Sequence, residues 1–163
     1  MALRIPLLPR PIRWLGPVGI AVGICYWSLV TTPPTIPPVG FEWAAAAITG
    51  VATSGFGVRI DPTAVPQSYF QHGIAYALLA LGLAYALADR ESGIIRKALL
   101  VIILATTYGV LMEIGQLFRP ERTATVTDGT VNALGALTAL CWYELERRAQ
   151  FVSLAELRNT IDW

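Results

Sequence analysis

Six polar side chains in an otherwise apolar chain have chemistry to offer: His72, Tyr76, Glu113, Gln116, Asp128 and Asn132. Their spacing groups them in pairs. Tyr76 follows His72 by four residues, Gln116 follows Glu113 by three and Asn132 follows Asp128 by four, so each pair shares one helix face. His72 and Glu113 are candidate general bases and Asp128 is a third candidate catalytic group. Arg119 and Arg122 carry guanidinium forks suited to a phosphate, and with Tyr76, Gln116 and Asn132 they form the candidate ligand-binding set. A single histidine and two cysteines, Cys25 and Cys141, leave no CxxC or HExxH spacing and no second histidine for a relay. No metal ligands and no cofactor are therefore expected. Ser54 lacks the setting of a nucleophile elbow, and whether the chain is an enzyme stays open. The same residues also have a structural reading. Glu113 could pair with Arg119 or Arg122, Asp128 could cap its own helix and His72 could satisfy Glu113, locking three helices together.

The elements that position these groups follow from composition. Of 163 residues, 55% are hydrophobic and 14% charged, against roughly a quarter charged in soluble domains. Twelve Lys and Arg against eleven Asp and Glu give a net charge of +1, so no nucleic-acid surface is advertised. A multi-pass membrane protein fits. A crossing needs roughly 20 apolar residues, and the charge-free runs predict an all-α bundle of four spans, about 14–31, 67–88, 97–118 and 125–144. The last two runs are short, so Glu113 and Asp128 must lie inside helix ends rather than in loops. This gives a 1–13 N-terminal segment, a 14–148 membrane domain and a 149–163 tail. In the tail, Ser153 and Glu156 have capping-box spacing, and Phe151, Leu154, Leu157 and Ile161 suggest a short amphipathic helix on the membrane surface.

Orientation follows from the positive charges. Nine of the twelve, Arg4, Arg10, Arg13, Arg90, Arg96, Lys97, Arg147, Arg148 and Arg158, share one side, and Arg59, Arg119 and Arg122 lie opposite. Both termini are expected on the cytoplasmic side of the cell membrane. The uncharged stretch Trp43 to Val58 is read as an external or interfacial helix within segment 32–66, because counting it as a span would erase the bias. Pro6, Pro9, Pro11 and Pro17 argue against a cleaved signal peptide. Cys25 and Cys141 read as packing residues within spans. Gly19 with Gly23, and Gly135 with Ala139, have the small-xxx-small spacing that permits close helix approach. With this topology His72 and Glu113 each lie five residues inside an outer helix end, about 7–8 Å deep. One pocket opening outward results.

These residues carry a resemblance. The run Tyr108-Gly109-Val-Leu-Met-Glu113-Ile-Gly-Gln116-Leu-Phe118-Arg-Pro120-Glu-Arg122, followed by Asp128, Asn132 and Gly135, resembles the signature of the VanZ-like membrane protein family. His72 and Tyr76 with Gly82-Leu83 resemble that family's second-span motif. The likeness covers about Ser68 to Ala139. It departs where an Asp-Lys pair usually precedes the histidine, since Ser68 and Tyr69 stand there, and segment 32–66 is longer than the family pattern. The resemblance implies four spans and kinship with a namesake linked to glycopeptide resistance. It implies no particular reaction.

Three functions compete. The first is binding or modifying a phosphate-bearing or polyprenyl-type envelope lipid through the outward pocket. The second is a structural or assembly subunit of a membrane complex, with a membrane protein partner or a second copy. The third is a membrane enzyme using His72 or Glu113 as general base. Four spans with polar groups at one end offer no path for transport.

Overall fold

The computed structural model describes residues 3–31, 67–120 and 126–153. In chain order these form β1 (Leu3–Leu7), α1 (Arg10–Leu29), α2 (Gln67–Ala86), α3 (Ile94–Gln116), α4 (Val126–Ala136), α5 (Ala139–Arg148) and β2 (Ala149–Ser153). The chain is mainly helical. Two of the helices, α1 and α3, are long and apolar enough to cross a membrane. Helix α2 is as long as α1 but opens with Gln67, Ser68, Gln71 and His72, which lower its apolarity.

Helix α2 is the hub and packs against α1, α3, α4 and α5. Its contact face is small: Ala80 and Ala84 are fully buried, as are Val101 and Ala105 of α3, Ala136 of α4 and Ala139 of α5. Small residues let helix backbones approach closely, so that dispersion contacts rather than large side chains hold the bundle. The closest approach is at Gly135, where a Cβ would collide with the carbonyl oxygen of Gly73. Pro17 is buried within α1 and lies 3.4–3.5 Å from where a Cβ on Gly82 would stand. Gly19 faces open space and Gly23 meets only Trp27 of its own helix. Of the two small-residue pairs, only the one containing Gly135 makes a helix crossing among the described residues.

Several boundaries differ from those read in the sequence. Helix α1 starts at Arg10, because Pro9 precedes it and Pro11 falls in the first turn, where a missing N–H goes unmissed. Arg10 and Arg13 therefore belong to the helix rather than to an N-terminal segment. The region 125–144 is two helices: the N–H groups of Thr138, Leu140 and Cys141 each bond a carbonyl three residues back, and the Thr138 hydroxyl donates to Gly135 O at 2.8 Å. Those tight bonds replace the α-helical ladder for one turn. Residues 149–153, expected in an amphipathic tail helix, form β2, which pairs in parallel with β1 (Leu3 opposite Ala149, Leu7 opposite Ser153). Extended pairing is what lays Phe151 onto Trp142, ring centroids 5.7 Å apart. The remainder of the tail, 154–163, and the segment Trp43–Val58 lie outside the described residues, as do Arg122 and Thr123.

The strand end of the bundle is stapled by polar groups. The Tyr85 hydroxyl donates to Pro6 O at 3.2 Å and accepts from Leu8 N–H at 3.1 Å. Arg10 and Arg13 converge on Asp89 at 3.0 and 2.6 Å. The Lys97 ammonium pairs with Glu146 and donates to Ala88 O at 3.2 Å. Arg13 and Lys97 are almost wholly buried, 5% and 4% exposed. Cys25 and Cys141 are free thiols, the latter exposed.

Candidate functional site

At the opposite end, α2, α3 and α4 bring four of the sequence-derived residues into one hydrogen-bonded or packed group. His72 sits one turn inside the start of α2, Glu113 one turn before the end of α3 and Asn132 on the second turn of α4. The Asn132 amide donates from Nδ2 to Glu113 Oε1 at 3.3 Å. Its Oδ1 lies 3.0 Å from His72 Nδ1. The direction of the chain follows: a carboxylate only accepts, so Nδ2 faces Glu113, Oδ1 faces histidine, and an amide oxygen only accepts. His72 Nδ1 must therefore carry hydrogen. In the neutral ring this leaves the lone pair on Nε2. The carboxylate itself stands 3.9 Å from Nδ1, beyond direct hydrogen bonding, so Asn132 transmits between them.

Burial sharpens toward the centre of this group. Asn132 is 1% exposed and Tyr76 2%, while the side chains of His72 and Glu113 keep 23% and 13%. Space is tight at Gly109: a Cβ would stand 3.2 Å from Tyr76 Cε1 and 3.3 Å from Asn132 Nδ2, pressing on the atom that donates to Glu113. The ring of Tyr76 also faces Tyr108, with centroids 6.5 Å apart, and the Tyr108 hydroxyl donates to Ala21 O of α1 at 2.6 Å. All four long elements thus meet around Tyr76.

Among the described residues, Glu113 Oε2 and the Tyr76 hydroxyl have no hydrogen-bond partner, as is also true of buried atoms of Arg13, Thr106, Trp142, Tyr143 and Glu146. Buried polar atoms are ordinarily paired. Asp128, 8% exposed, joins the group through charge, since Glu113 lies within the electrostatic reach of Asp128, His72 and Tyr76; Gln116 is buried on α3, 5% exposed. Asp128 stands in the first turn of α4, where a carboxylate complements the helix dipole. Arg119 does not lie over the polar group: its Nη2 reaches back to Val30 O at the end of α1, at 3.4 Å. The last carbonyls of a helix lack partners and attract a cation, which accounts for that choice.

Sequence spacing reached His72, Tyr76, Glu113, Asp128 and Asn132, all of which the fold gathers. It assigned no role to Gly109 as the space for Asn132. The signal was a glycine one turn before Glu113 on the same helix. Among the described residues no cluster of His, Cys, Asp and Glu has the geometry of a metal site. Compared with protein-family models, curated proteins and solved structures, the chain finds no match.

Proposed function

We propose that the chain is a four-span membrane protein of the cell envelope whose polar group lines a pocket open to the outer face. The pocket binds the head group of a phosphate-bearing lipid. Several features support the membrane reading. Leu15, Val18 and Val22 on α1 and Leu99, Ile103 and Leu111 on α3 face outward, while Asn132, Gln116 and Asp128 lie inside, the reverse of a helix bundle made for water. Pairing of β1 with β2 puts the two described ends of the chain on one face, in keeping with an even number of crossings. That face also holds most of the positive charge, as the cytoplasmic side does. The resemblance of the Tyr108–Arg122 run to VanZ-like proteins, with their namesake's link to glycopeptide resistance, points to the same outer surface.

The observation that carries the binding role is that Glu113 Oε2 and the Tyr76 hydroxyl lack a hydrogen-bond partner among the described residues beside side chains that stay partly open, His72 at 23% and Glu113 at 13%; the orphaned atoms of Arg13 and Glu146 belong instead to the ion pairs of the strand end. Arg119 is turned to Val30 O, so of the two guanidinium groups read in the sequence Arg122, outside the described residues, is the one left to be tested for the phosphate. Should bond-making accompany binding, His72 Nε2 is the base, held in its tautomer by Asn132. The test is lipid analysis of gently purified protein. Wild type is expected to retain a phosphate-bearing lipid, and Glu113→Gln to lose it at unchanged melting temperature. Equal lipid content in both, or loss only in proportion to folded protein, overturns the proposal. An assembly-subunit role is the second reading, favoured by the near-complete burial of Asn132 between three helices.

A further inference from the structure

The inner part of the pocket has the wrong chemistry for a phosphate. The Asn132 amide spends its Nδ2 on Glu113 and its Oδ1 on His72. What remains at the inner end is mainly acceptors: the lone pair of His72 Nε2, the unpartnered Glu113 Oε2 and the oxygen of the Tyr76 hydroxyl, which is buried and also without a partner. The carboxylate of Asp128 adds a second negative charge within reach of Glu113. The basic side chains of α1, α3 and α5 gather at the strand end: Arg10 and Arg13 on Asp89, Lys97 on Glu146, Arg148 on Glu144. Arg119 turns to Val30. A phosphate placed against Glu113 would meet like charge in a poorly screened site. An ammonium would not, since it brings three donors and a positive charge to a place where, among the described residues, acceptors outnumber donors and no Lys or Arg is paired with Glu113.

We infer that the group entering this inner end is a protonated primary amine, so that the ligand is an aminated phosphate head group of the ethanolamine-phosphate type. The inference rests on the lipid-binding reading and narrows it to one chemistry. Ethanolamine supplies N–H donors to Glu113 Oε2. Choline carries the charge without an N–H, and glycerol carries hydroxyl donors without the charge.

The experiment measures binding of short-chain phosphatidylethanolamine, phosphatidylcholine and phosphatidylglycerol, and of soluble ethanolamine phosphate, to the full-length protein in detergent by native mass spectrometry. Phosphatidylethanolamine should bind at least tenfold more tightly than either other lipid, and Glu113→Gln should remove that preference by weakening phosphatidylethanolamine binding to the level of the other two. Asp128→Asn is the second variant, should Glu113→Gln fail to fold, and should lower the preference by a smaller factor. Phosphatidylglycerol binding as well as phosphatidylethanolamine, or a preference that survives both substitutions, overturns the amine assignment while leaving the lipid reading in place. Ethanolamine phosphate binding as tightly as the lipid keeps the amine and overturns the lipid. Binding of none overturns both.

Discussion

At the scale of single residues, Asn132 is the pivot, because its amide alone connects the base-bearing ring to the carboxylate. Replacing it by Leu keeps the volume and removes both bonds. Unfolding free energy should fall by about 1–3 kcal/mol, the cost of leaving Glu113 and His72 with unmet hydrogen bonds in a buried setting; a thermal or denaturant melt in detergent checks this. The tautomer is directly observable. In 15N spectra of histidine-labelled protein at a pH where the ring is neutral, His72 should show a protonated Nδ1 and a bare Nε2, and Asn132→Leu should abolish that bias. A protonated Nε2 in the wild type would reverse the direction of the chain and remove His72 as a base. Gly109→Ala should weaken head-group binding more than stability, since its methyl would meet Asn132 Nδ2 and Tyr76 Cε1 and both groups belong to the pocket.

Elements are held by close backbone approach in the middle and by ion pairs at the strand end. Gly135→Ala sets a methyl against the Gly73 carbonyl and should force α2 and α4 apart, lowering the melting temperature by several degrees. Gly19→Ala, with nothing near it, should be neutral or slightly stabilising, because alanine favours helix. Breaking the Lys97–Glu146 pair from one side leaves an uncompensated buried charge, costing about 3–5 kcal/mol, whereas replacing both partners by apolar residues of similar size should recover most of that. Acid also acts at this end. The Asp89 carboxyl is held below the usual carboxylate range chiefly by its hydrogen bond from Arg13, against the opposing effect of burial, with the charges of Arg13 and Arg10 assisting. Its contribution is therefore present above the unfolded value of about 3.9 and is lost as pH falls through the lower folded value. Asp89→Asn should lower stability at neutral pH and flatten that acid limb of the melting curve. How far the elements were legible depends on the length of the signal. Helix α2 follows from a long charge-free run, α3 from a short one extended over its flanking polar residues, and the side chains of the polar group from three- and four-residue spacings. The β1–β2 pair was not legible, because five-residue strands at opposite ends of the chain leave no periodicity to read. Arg13 and Lys97 looked like loop charges, since nothing in the sequence tells which distant carboxylate takes a cation out of water.

For the whole molecule, the two ends have opposite chemistry. One is a strand-stapled, cation-rich end. The other is a carboxylate-and-amide cluster about 20 Å away along α2, from His72 to Tyr85 at 1.5 Å per residue. The polar group was legible because burying six polar side chains at one depth in an apolar chain has few structural motives; the turning of Arg119 toward Val30 was not, because helix-end carbonyls compete for guanidinium groups without leaving a mark in sequence. Four spans predict that cysteines at Thr63 and Thr123 react with an impermeant reagent outside the cell. The most direct test of the central claim, a lipid pocket open to the outer face, is impermeant maleimide labelling of intact cells in a Cys25→Ala, Cys141→Ala background carrying either His72→Cys or Ser92→Cys. The account predicts that His72→Cys is labelled from outside, that added short-chain phosphatidylethanolamine protects it, and that Ser92→Cys is labelled only after the cells are opened. Labelling of Ser92→Cys in intact cells with His72→Cys silent, or labelling of His72→Cys that lipid leaves unchanged, would contradict it.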